Sequence, residues 1–251
     1  MKSRLAVCIL TILFFFTEGR TQSVTSTQFW WDATYYRPFA VSYRKILSVG
    51  TRHLVSGGDP WNKLVVKPSL EWYPAPIIDV MTSLTYAGTR QKEGVTTTEW
   101  RPDIGARINF FQQRWTLRTN TRLEYRHIHY IETDENINTW RFRARVELIY
   151  PLTNPSQRDP KTLYVLTDFE VFADVAGDEV EERFSNRNRF RMGLGWRQDL
   201  EWRVELIYTR QNSRNTLEGN FENSDNIFRI RIKYQPLRGK TKKELKDQPH
   251  H

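Results

Sequence analysis

The chain has 251 residues and a formal net charge of +9, from 38 Lys and Arg against 29 Asp and Glu. This length suits one large all-β domain or two small ones. Because Cys8 is the only cysteine, disulfide-rich folds and cysteine-ligated metal sites are excluded. The positive balance is compatible with nucleic acid as a partner, but the predicted export of the chain argues against that class.

The first residues have the order of a secretory signal peptide. Lys2 and Arg4 precede an apolar run over residues 5–16, which is too short to cross a bilayer as a helix. We therefore predict a signal peptide over residues 1–19, with its boundary known to about three residues. Cys8 lies inside the apolar run, too early for a lipoprotein signal, so lipidation is not predicted.

Beyond this leader, strand-like alternation of polar and apolar residues recurs along the chain. No later segment has the run of apolar residues that a membrane helix needs. Short and long connections alternate, which is typical of an up-and-down antiparallel meander. This alternation predicts a short turn after residue 150, but residues 151–161 form a longer connection. The alternating segments cover residues 28–36, 43–55, 61–73, 77–88, 96–110, 113–130, 137–150, 161–174, 183–197, 200–213 and 222–235.

Several segments are longer than the strands of soluble proteins. Residues 113–130 and 183–197 alternate for about fifteen residues, whereas soluble strands usually have about five or six and a membrane-spanning strand needs roughly 9–11. We therefore predict an all-β, up-and-down antiparallel transmembrane β-barrel over residues 20–237, followed by a basic disordered tail over residues 238–251. We expect about twelve strands, with ten as the alternative, because single-chain bacterial barrels have even numbers.

The stretch TWRFRARVELIYPL, residues 139–152, separates two faces: three arginines and a glutamate alternate with apolar side chains. In a membrane barrel the apolar set faces lipid and the charged set faces the lumen. The predicted lumen-lining charged residues are Arg118, Arg122, Glu124, Arg141, Arg143, Arg145, Glu147, Arg189, Arg191, Arg229, Arg231 and Lys233. The same alternation directs Asp168, Glu170, Arg197, Glu201, Arg203 and Glu205 inward. Because buried charges need partners, we expect Arg and Glu on adjacent strands to pair.

Aromatic residues tend to end the apolar stripes, as in the girdles of membrane barrels. The predicted interfacial aromatics are Trp115, Tyr125, Tyr150, Trp196, Trp202, Tyr208 and Tyr234. The alternative is a soluble lipocalin-like barrel with its apolar face inside, but a water-facing side would not need Arg and Glu so regularly.

The sequence also resembles a known family. The resemblance rests on the segments QFWWDATYYRPF, LVVKPSLEWYP, EWRPDIGARINFFQQRWTLRTNTRLEYR, TWRFRARVELIYPL and ERFSNRNRFRMGLGWRQDLEWRVELIY, and its most specific part runs from Phe184 to Tyr208. The family is one of bacterial outer-membrane β-barrels named only as a domain of unknown function. The resemblance implies a barrel in the outer membrane of a Gram-negative bacterium; it implies no activity and no functional residues.

Two histidines are the only candidates for catalysis or metal binding. His127 and His129 share one strand face, a spacing that can ligate a metal or present a general base. They continue the lipid-facing side of their strand, however, and no nucleophile or third ligand accompanies them in the sequence. We therefore expect interfacial residues rather than a catalytic or metal site.

The loops IETDENIN and DVAGDEVEE are rich in carboxylates. Glu132, Asp134 and Glu135 in the first, and Asp174, Asp178, Glu179, Glu181 and Glu182 in the second, are the residues concerned. Clustered carboxylates can hold Ca²⁺ or Mg²⁺, but their spacing matches no EF-hand, and solvated loops are the simpler interpretation.

The sequence thus predicts a non-enzymatic outer-membrane barrel without a cofactor, either structural or a narrow anion-preferring pore with an Arg/Glu-lined lumen. An outer-membrane lipid-modifying enzyme and a periplasmic ligand-binding barrel are the alternatives. The expected partners are outer-membrane lipid and, for insertion, the barrel-assembly machinery. The sequence does not indicate an oligomeric state.

Overall fold

The described part of the chain is a closed β-barrel. In this computed structural model the described residues are 24–91, 94–111, 114–177, 187–213 and 223–236. They form eleven strands: β1 (Val24–Ala40), β2 (Tyr43–Ser56), β3 (Trp61–Ala75), β4 (Ile78–Gln91), β5 (Gly94–Phe111), β6 (Thr116–Tyr130), β7 (Glu135–Pro151), β8 (Thr162–Gly177), β9 (Arg187–Arg197), β10 (Trp202–Ser213) and β11 (Asn223–Tyr234). The predicted signal peptide and tail lie outside the described residues. No helix in the described residues is long and apolar enough to cross a membrane.

The all-β, up-and-down prediction is confirmed, but the strand number of about twelve is wrong. Consecutive strands pair antiparallel, and β1 pairs with β11 to close the sheet of the described residues. With eleven strands the first and last run in the same direction, so this one ladder is parallel and extends from Val24↔Asn223 to Tyr35↔Tyr234. Because the parallel ladder satisfies both edges, closure needs no twelfth strand.

The two ends of the barrel differ in their connections. At one end, here called the turn end, the chain passes from β1 to β2, β3 to β4, β5 to β6, β7 to β8 and β9 to β10. At the opposite end, the loop end, it passes from β2 to β3, β4 to β5, β6 to β7, β8 to β9 and β10 to β11. The alternating segments predicted from the sequence leave residues 89–95 and 131–136 as connections. The strands extend into both: β4 ends at Gln91, β5 begins at Gly94 and β7 begins at Glu135.

One loop-end connection depends on glycine. Gly57 and Gly58 have φ angles of 89° and 152°, in the region that L-residues with a side chain rarely adopt. A Cβ at Gly57 would lie 2.4 Å from the carbonyl oxygen of Thr25 on β1. Glycine therefore lets the connection between β2 and β3 turn closely against the start of β1.

Alternation along every strand gives the barrel an apolar outer surface. On β7, Trp140, Phe142, Val146, Leu148 and Tyr150 are all between 38% and 49% exposed. The intervening residues face the inside, where Arg141 and Glu147 are buried. Between the ends of the described strands, outward positions carry no charged side chain; the outward Arg37, Lys45, Arg90 and Arg210 all lie near strand ends.

Candidate functional site

The lumen contains a cavity of about 1180 Å³. Its lining includes Gln28, Thr97 and Tyr130 near the loop end, and Tyr73 and Arg203 near the turn end. One cavity therefore extends along the barrel axis. Because every strand contributes alternate side chains to its wall, the chemistry of this space is determined by the inward-facing residues.

Positive charge dominates this wall. Among the described residues, twenty-one Arg and Lys side chains but five carboxylates line the cavity. Seven more carboxylates of the described residues point inward without lining the cavity: Asp103, Glu124, Asp168, Glu170, Asp174, Glu205 and Asp225. Cations thus remain in excess in the described lumen even when all inward carboxylates are counted.

The structure places eleven of the twelve predicted lumen residues on the cavity wall: Arg118, Arg122, Arg141, Arg143, Arg145, Glu147, Arg189, Arg191, Arg229, Arg231 and Lys233. The twelfth, Glu124, is fully buried beneath two of these arginines, Arg141 and Arg143. Of the further inward residues predicted, Glu201 is an exception, because it lies in the turn before β10.

Cross-strand ion pairs connect β6, β7, β8 and β9. Glu124 accepts hydrogen bonds from Arg141, whose Nη2 lies 2.6 Å from Oε2, and from Arg143. Arg143 also donates to Glu170 at 2.6 Å, which in turn lies 3.2 Å from Arg191. Arg143 therefore bridges carboxylates on β6 and β8, and Arg191 contacts two carboxylates of β8, as expected for charges removed from water.

Arg145 on β7 differs from its neighbours Arg141 and Arg143. No carboxylate of the described residues lies within ion-pair distance of its guanidinium, and its buried Nε has no hydrogen-bond partner there. The adjacent Glu147 pairs instead with Arg118 at 3.2 Å. The prediction that arginines and glutamates pair off thus holds for part of this strand, whereas Arg145 remains without a carboxylate partner.

The wall formed by β2 to β5 carries a second ion-pair network that sequence reasoning missed. Glu71 is bound by Arg44 and Arg107, and Arg107 also pairs with Asp79 at 2.6 Å. Further pairs join Lys67 to Asp103, and Lys63, Arg101 and Arg126 to Glu99. The alternation of LVVKPSLEWYP and EWRPDIGARINFF carried the signal for six of these residues: Lys67, Glu71, Glu99, Arg101, Asp103 and Arg107.

Two inward aromatic rings near the loop end were also missed. The guanidinium carbons of Arg141, Arg143, Arg187 and Arg189 lie 5.2, 4.6, 5.6 and 4.8 Å from the ring centroid of Phe172. Arg52, Arg189 and Arg229 lie 4.2, 5.6 and 5.9 Å from the ring of Trp30. These cation–π contacts stabilise closely spaced guanidinium groups.

The connection over residues 152–161 lies across the turn end. Gln157 and Arg158 line the cavity, and the carbonyl oxygen of Gln157 accepts a hydrogen bond of 2.9 Å from Arg197 Nε. Gln157 Nε2 donates to Thr116 Oγ1 at 3.2 Å. This explains the longer connection: it forms part of the lumen wall. Burial and the nearby Arg118 lower the pKa of Arg158.

The predicted interfacial aromatics lie at the two ends of the outer surface. Towards the turn end, ring centroids are 4.5 Å apart for Trp202–Tyr234 and 6.4 Å apart for Tyr43–Trp72. Towards the loop end the pairs are Tyr86–Trp100 at 4.8 Å, Tyr125–Trp140 at 5.1 Å and Tyr208–Phe228 at 5.5 Å. Tyr150, Trp196 and Trp115, the last of these just before β6, lie at the turn end.

The two candidate histidines lie on the outer face of β6. His127 Nδ1 is 2.8 Å from Asn138 Oδ1, and His129 Nδ1 is 3.1 Å from Asn136 Oδ1. In the described part of the chain, no group of three or more His, Cys, Asp or Glu side chains is placed to hold a metal. The two histidines therefore belong to a polar edge of the outer surface next to the 131–134 turn.

The first acidic loop is tied to its own surroundings. Glu132 Oε1 accepts a 3.3 Å hydrogen bond from the backbone of Thr96, and Glu135 accepts one from Thr133. Asp134 has a φ of 56° and lies 3.9 Å from His129. In the second loop, Asp174 belongs to β8, whereas Asp178, Glu179, Glu181 and Glu182 lie outside the described residues.

The comparisons with known proteins give a family but no activity. A sequence model of a family described as "Protein of unknown function (DUF2490)" matches residues 27–223. This range runs from β1 to the first residue of β11, and it confirms the predicted resemblance to a domain of unknown function. No curated protein matches the chain.

Proposed function

The chain belongs to the family described as Protein of unknown function (DUF2490), so we propose a role for it from the barrel itself. We infer that it is an outer-membrane protein of a Gram-negative bacterium and that it passes small anions through its arginine-rich lumen. The observation that carries this proposal is the inversion of its faces, with apolar side chains outward and charged ones inward. A soluble barrel has the opposite arrangement, because its outer surface meets water.

The height of the apolar surface fits a bilayer. Trp140 and Tyr150 face outward on β7, ten residues apart. At about 3.3 Å per residue and a strand tilt of about 40°, this spacing corresponds to a height of about 25 Å, close to the apolar band of outer-membrane barrels. The aromatic pairs at both ends and the uncharged band between them support the same location.

The orientation follows from the connections. Outer-membrane barrels have short periplasmic turns and longer extracellular loops, so the turn end faces the periplasm in this proposal. A signal peptide over residues 1–19 supplies export, and the barrel-assembly machinery supplies insertion.

The pore proposal rests on the cavity and its charge. One cavity is lined at both ends of the described barrel, and its wall has more cations than carboxylates. An anion entering this space exchanges hydration for guanidinium contacts, whereas a cation meets a repulsive potential. The lumen therefore favours anions, and its long side chains keep the passage narrow.

Planar-bilayer recordings on the purified chain test this proposal. We expect discrete conductance steps and a reversal potential in a KCl gradient that indicates chloride preference. Arg145→Gln combined with Arg203→Gln should lower this preference. Arg210→Gln is the matched control, because Arg210 faces outward and bonds to Asn226. Absence of conductance at all salt concentrations and voltages would reject the pore. Identical gel migration of the heated and the unheated protein would reject the membrane barrel.

The enzyme alternative receives less support from the site. His127 and His129 face away from the lumen and bond to asparagines, and no hydroxyl or thiol group of the described residues is hydrogen-bonded to them. Replacing both with Ala should leave the lipid A profile of cells unchanged. A changed profile with normal barrel folding would favour a lipid-modifying enzyme over the pore.

A further inference from the structure

Two opposite walls at the turn end of the lumen differ sharply in charge balance. On the β2–β5 wall, Arg44 and Arg107 share Glu71, and Arg107 also contacts Asp79. Tyr73 donates a further hydrogen bond of 2.6 Å to Glu71. At the turn end of this wall, Arg44 and Arg107 thus each have a carboxylate partner, and this part of the wall is close to neutral.

The facing wall is strongly positive. Its cations form what is here called the turn-end cluster: Arg118, Arg145, Arg197, Arg203, Arg231 and Lys233. Two inward carboxylates of the described residues serve this cluster. Glu147 pairs with Arg118 at 3.2 Å. The cluster spans the lumen from β6 and β7 to β11.

The second carboxylate of the cluster is already saturated. Glu205 is bound by Arg231, by Lys233 at 2.7 Å and by the hydroxyl of Tyr164 at 2.7 Å. It is only 3% exposed. Glu205 therefore holds two cations in place and has no capacity left for Arg197 or Arg203.

Arg197 and Arg203 remain without carboxylate partners within the described residues. Arg197 donates to the carbonyl oxygens of Gln157 and Leu200, at 2.9 and 3.3 Å. Arg203 contacts the ring of Tyr36, with its guanidinium carbon 5.9 Å from the ring centroid. These contacts orient the two guanidinium groups but leave their charge uncompensated.

Unused donors occur in the same cluster. The Nε atoms of Arg118 and Arg145 are buried and have no hydrogen-bond partner among the described residues. A buried donor without an acceptor is destabilising, because it has lost its hydrogen bonds to water without replacing them. An anion with several acceptor oxygens would satisfy such donors and offset the excess charge at the same time.

We propose that the turn-end cluster is a binding site for a multivalent oxyanion of the phosphate type. Its guanidinium groups come from β6, β7, β9, β10 and β11, and a tetrahedral oxyanion accepts hydrogen bonds from several directions at once. Arginine is suited to this because its planar fork can bind two oxygens. Chloride has one charge and cannot compensate an excess of this size.

This inference deepens the proposed function and rests on it for the access of the anion to the lumen. It names a substrate class for the same cavity and places its site near the periplasmic mouth. Phosphate groups reach such a site either as free anions or as parts of organic phosphomonoesters. The two sources share the recognised group and differ in the substituent that the lumen must accommodate.

Calorimetric titration of the purified full chain in detergent, at fixed chloride concentration, tests the inference with pyrophosphate, phosphate and glycerol phosphate. We expect binding that Arg203→Gln weakens about tenfold or more, the effect of losing one charge-assisted contact. Arg52→Gln is the matched control, because Arg52 lines the lumen near the loop end and also has no carboxylate partner within ion-pair distance in the described strands. The affinity of the Arg52→Gln variant for pyrophosphate should equal that of the unchanged protein.

Each result has a distinct meaning. Binding of all three probes supports recognition of the phosphate group itself, binding of the inorganic probes alone supports a free anion, and binding of glycerol phosphate alone supports an organic phosphomonoester. No binding, or equal losses in both variants, overturns the inference. Chloride conductance without pyrophosphate binding rejects the inference and leaves the pore, whereas pyrophosphate binding without conductance rejects the pore and leaves the site.

Discussion

The ring of Tyr164 on β8 lies so close to Gly195 on β9 that a Cβ at position 195 would be 2.1 Å from Tyr164 Cζ. This contact lets the Tyr164 hydroxyl reach Glu205 on β10 at 2.7 Å. Tyr164 is 2% exposed and belongs to a small inward apolar cluster with Ile149, Leu166 and Ile207. Glycine at 195 is therefore a packing requirement of the lumen.

Replacing Gly195 with Ala should destabilise the barrel by about 1–3 kcal/mol, the usual cost of forcing a group into a filled space. The free energy of unfolding, measured by denaturant titration in detergent or vesicles, is the readout. Gly88→Ala serves as the control, since a Cβ at Gly88 would meet no atom within 4 Å. Equal stability of the two variants would contradict the packing argument.

Glu124→Gln should destabilise the barrel by about 3–5 kcal/mol, because it leaves a buried arginine without its charge partner. Glu124 is 0% exposed and is the carboxylate that binds Arg141, whereas Arg143 keeps Glu170. Glu147→Gln is the comparison, since Glu147 makes a single 3.2 Å pair with Arg118. We expect Glu147→Gln to lower the free energy of unfolding by less than Glu124→Gln does. A larger loss for Glu147→Gln would contradict the assigned ion pairs.

The parallel closure can be tested by cross-linking. Ala33 on β1 and Ile232 on β11 are register partners, and Cys8 is the only natural cysteine of the chain. Cysteines at positions 33 and 232 should form a disulfide on mild oxidation, seen as a mobility shift on a non-reducing gel. Position 33 paired with position 228 is the offset control and should not cross-link. Failure of the first pair together with success of the second would exclude this register.

Much of the barrel is predictable from alternation alone. The pattern of TWRFRARVELIYPL correctly separates the outward Phe142 and Val146 from the inward Arg141 and Arg143, because the side-chain period of a strand is two residues. The strand number was wrong although eleven segments were identified. Evenness is a regularity of known barrels, not a requirement of hydrogen bonding, and a parallel β1–β11 ladder closes the sheet equally well.

The pairing of individual charges could not be predicted. Glu124 meets Arg141 because the 131–134 turn sets the register between β6 and β7, and a shift of two residues would give each charge a different partner. Inward aromatics such as Trp30 and Phe172 were missed for a related reason. Their sequence neighbours are also apolar or aromatic, so alternation alone does not distinguish a lumen ring from a surface ring.

The outer surface gives a test that separates a membrane barrel from a soluble one. Val146 is 49% exposed on β7, between the outward Trp140 and Tyr150, and Leu152 is 42% exposed in the connection that follows. In a lipid bilayer, Val146→Arg should cost about 2–4 kcal/mol, because a charge near the midplane must leave water, whereas Leu152→Arg should cost about 0–1 kcal/mol at the interface. Unfolding titrations in lipid vesicles measure both values. Near-equal, small losses for the two variants would mean that both positions meet water, and the membrane location would have to be abandoned.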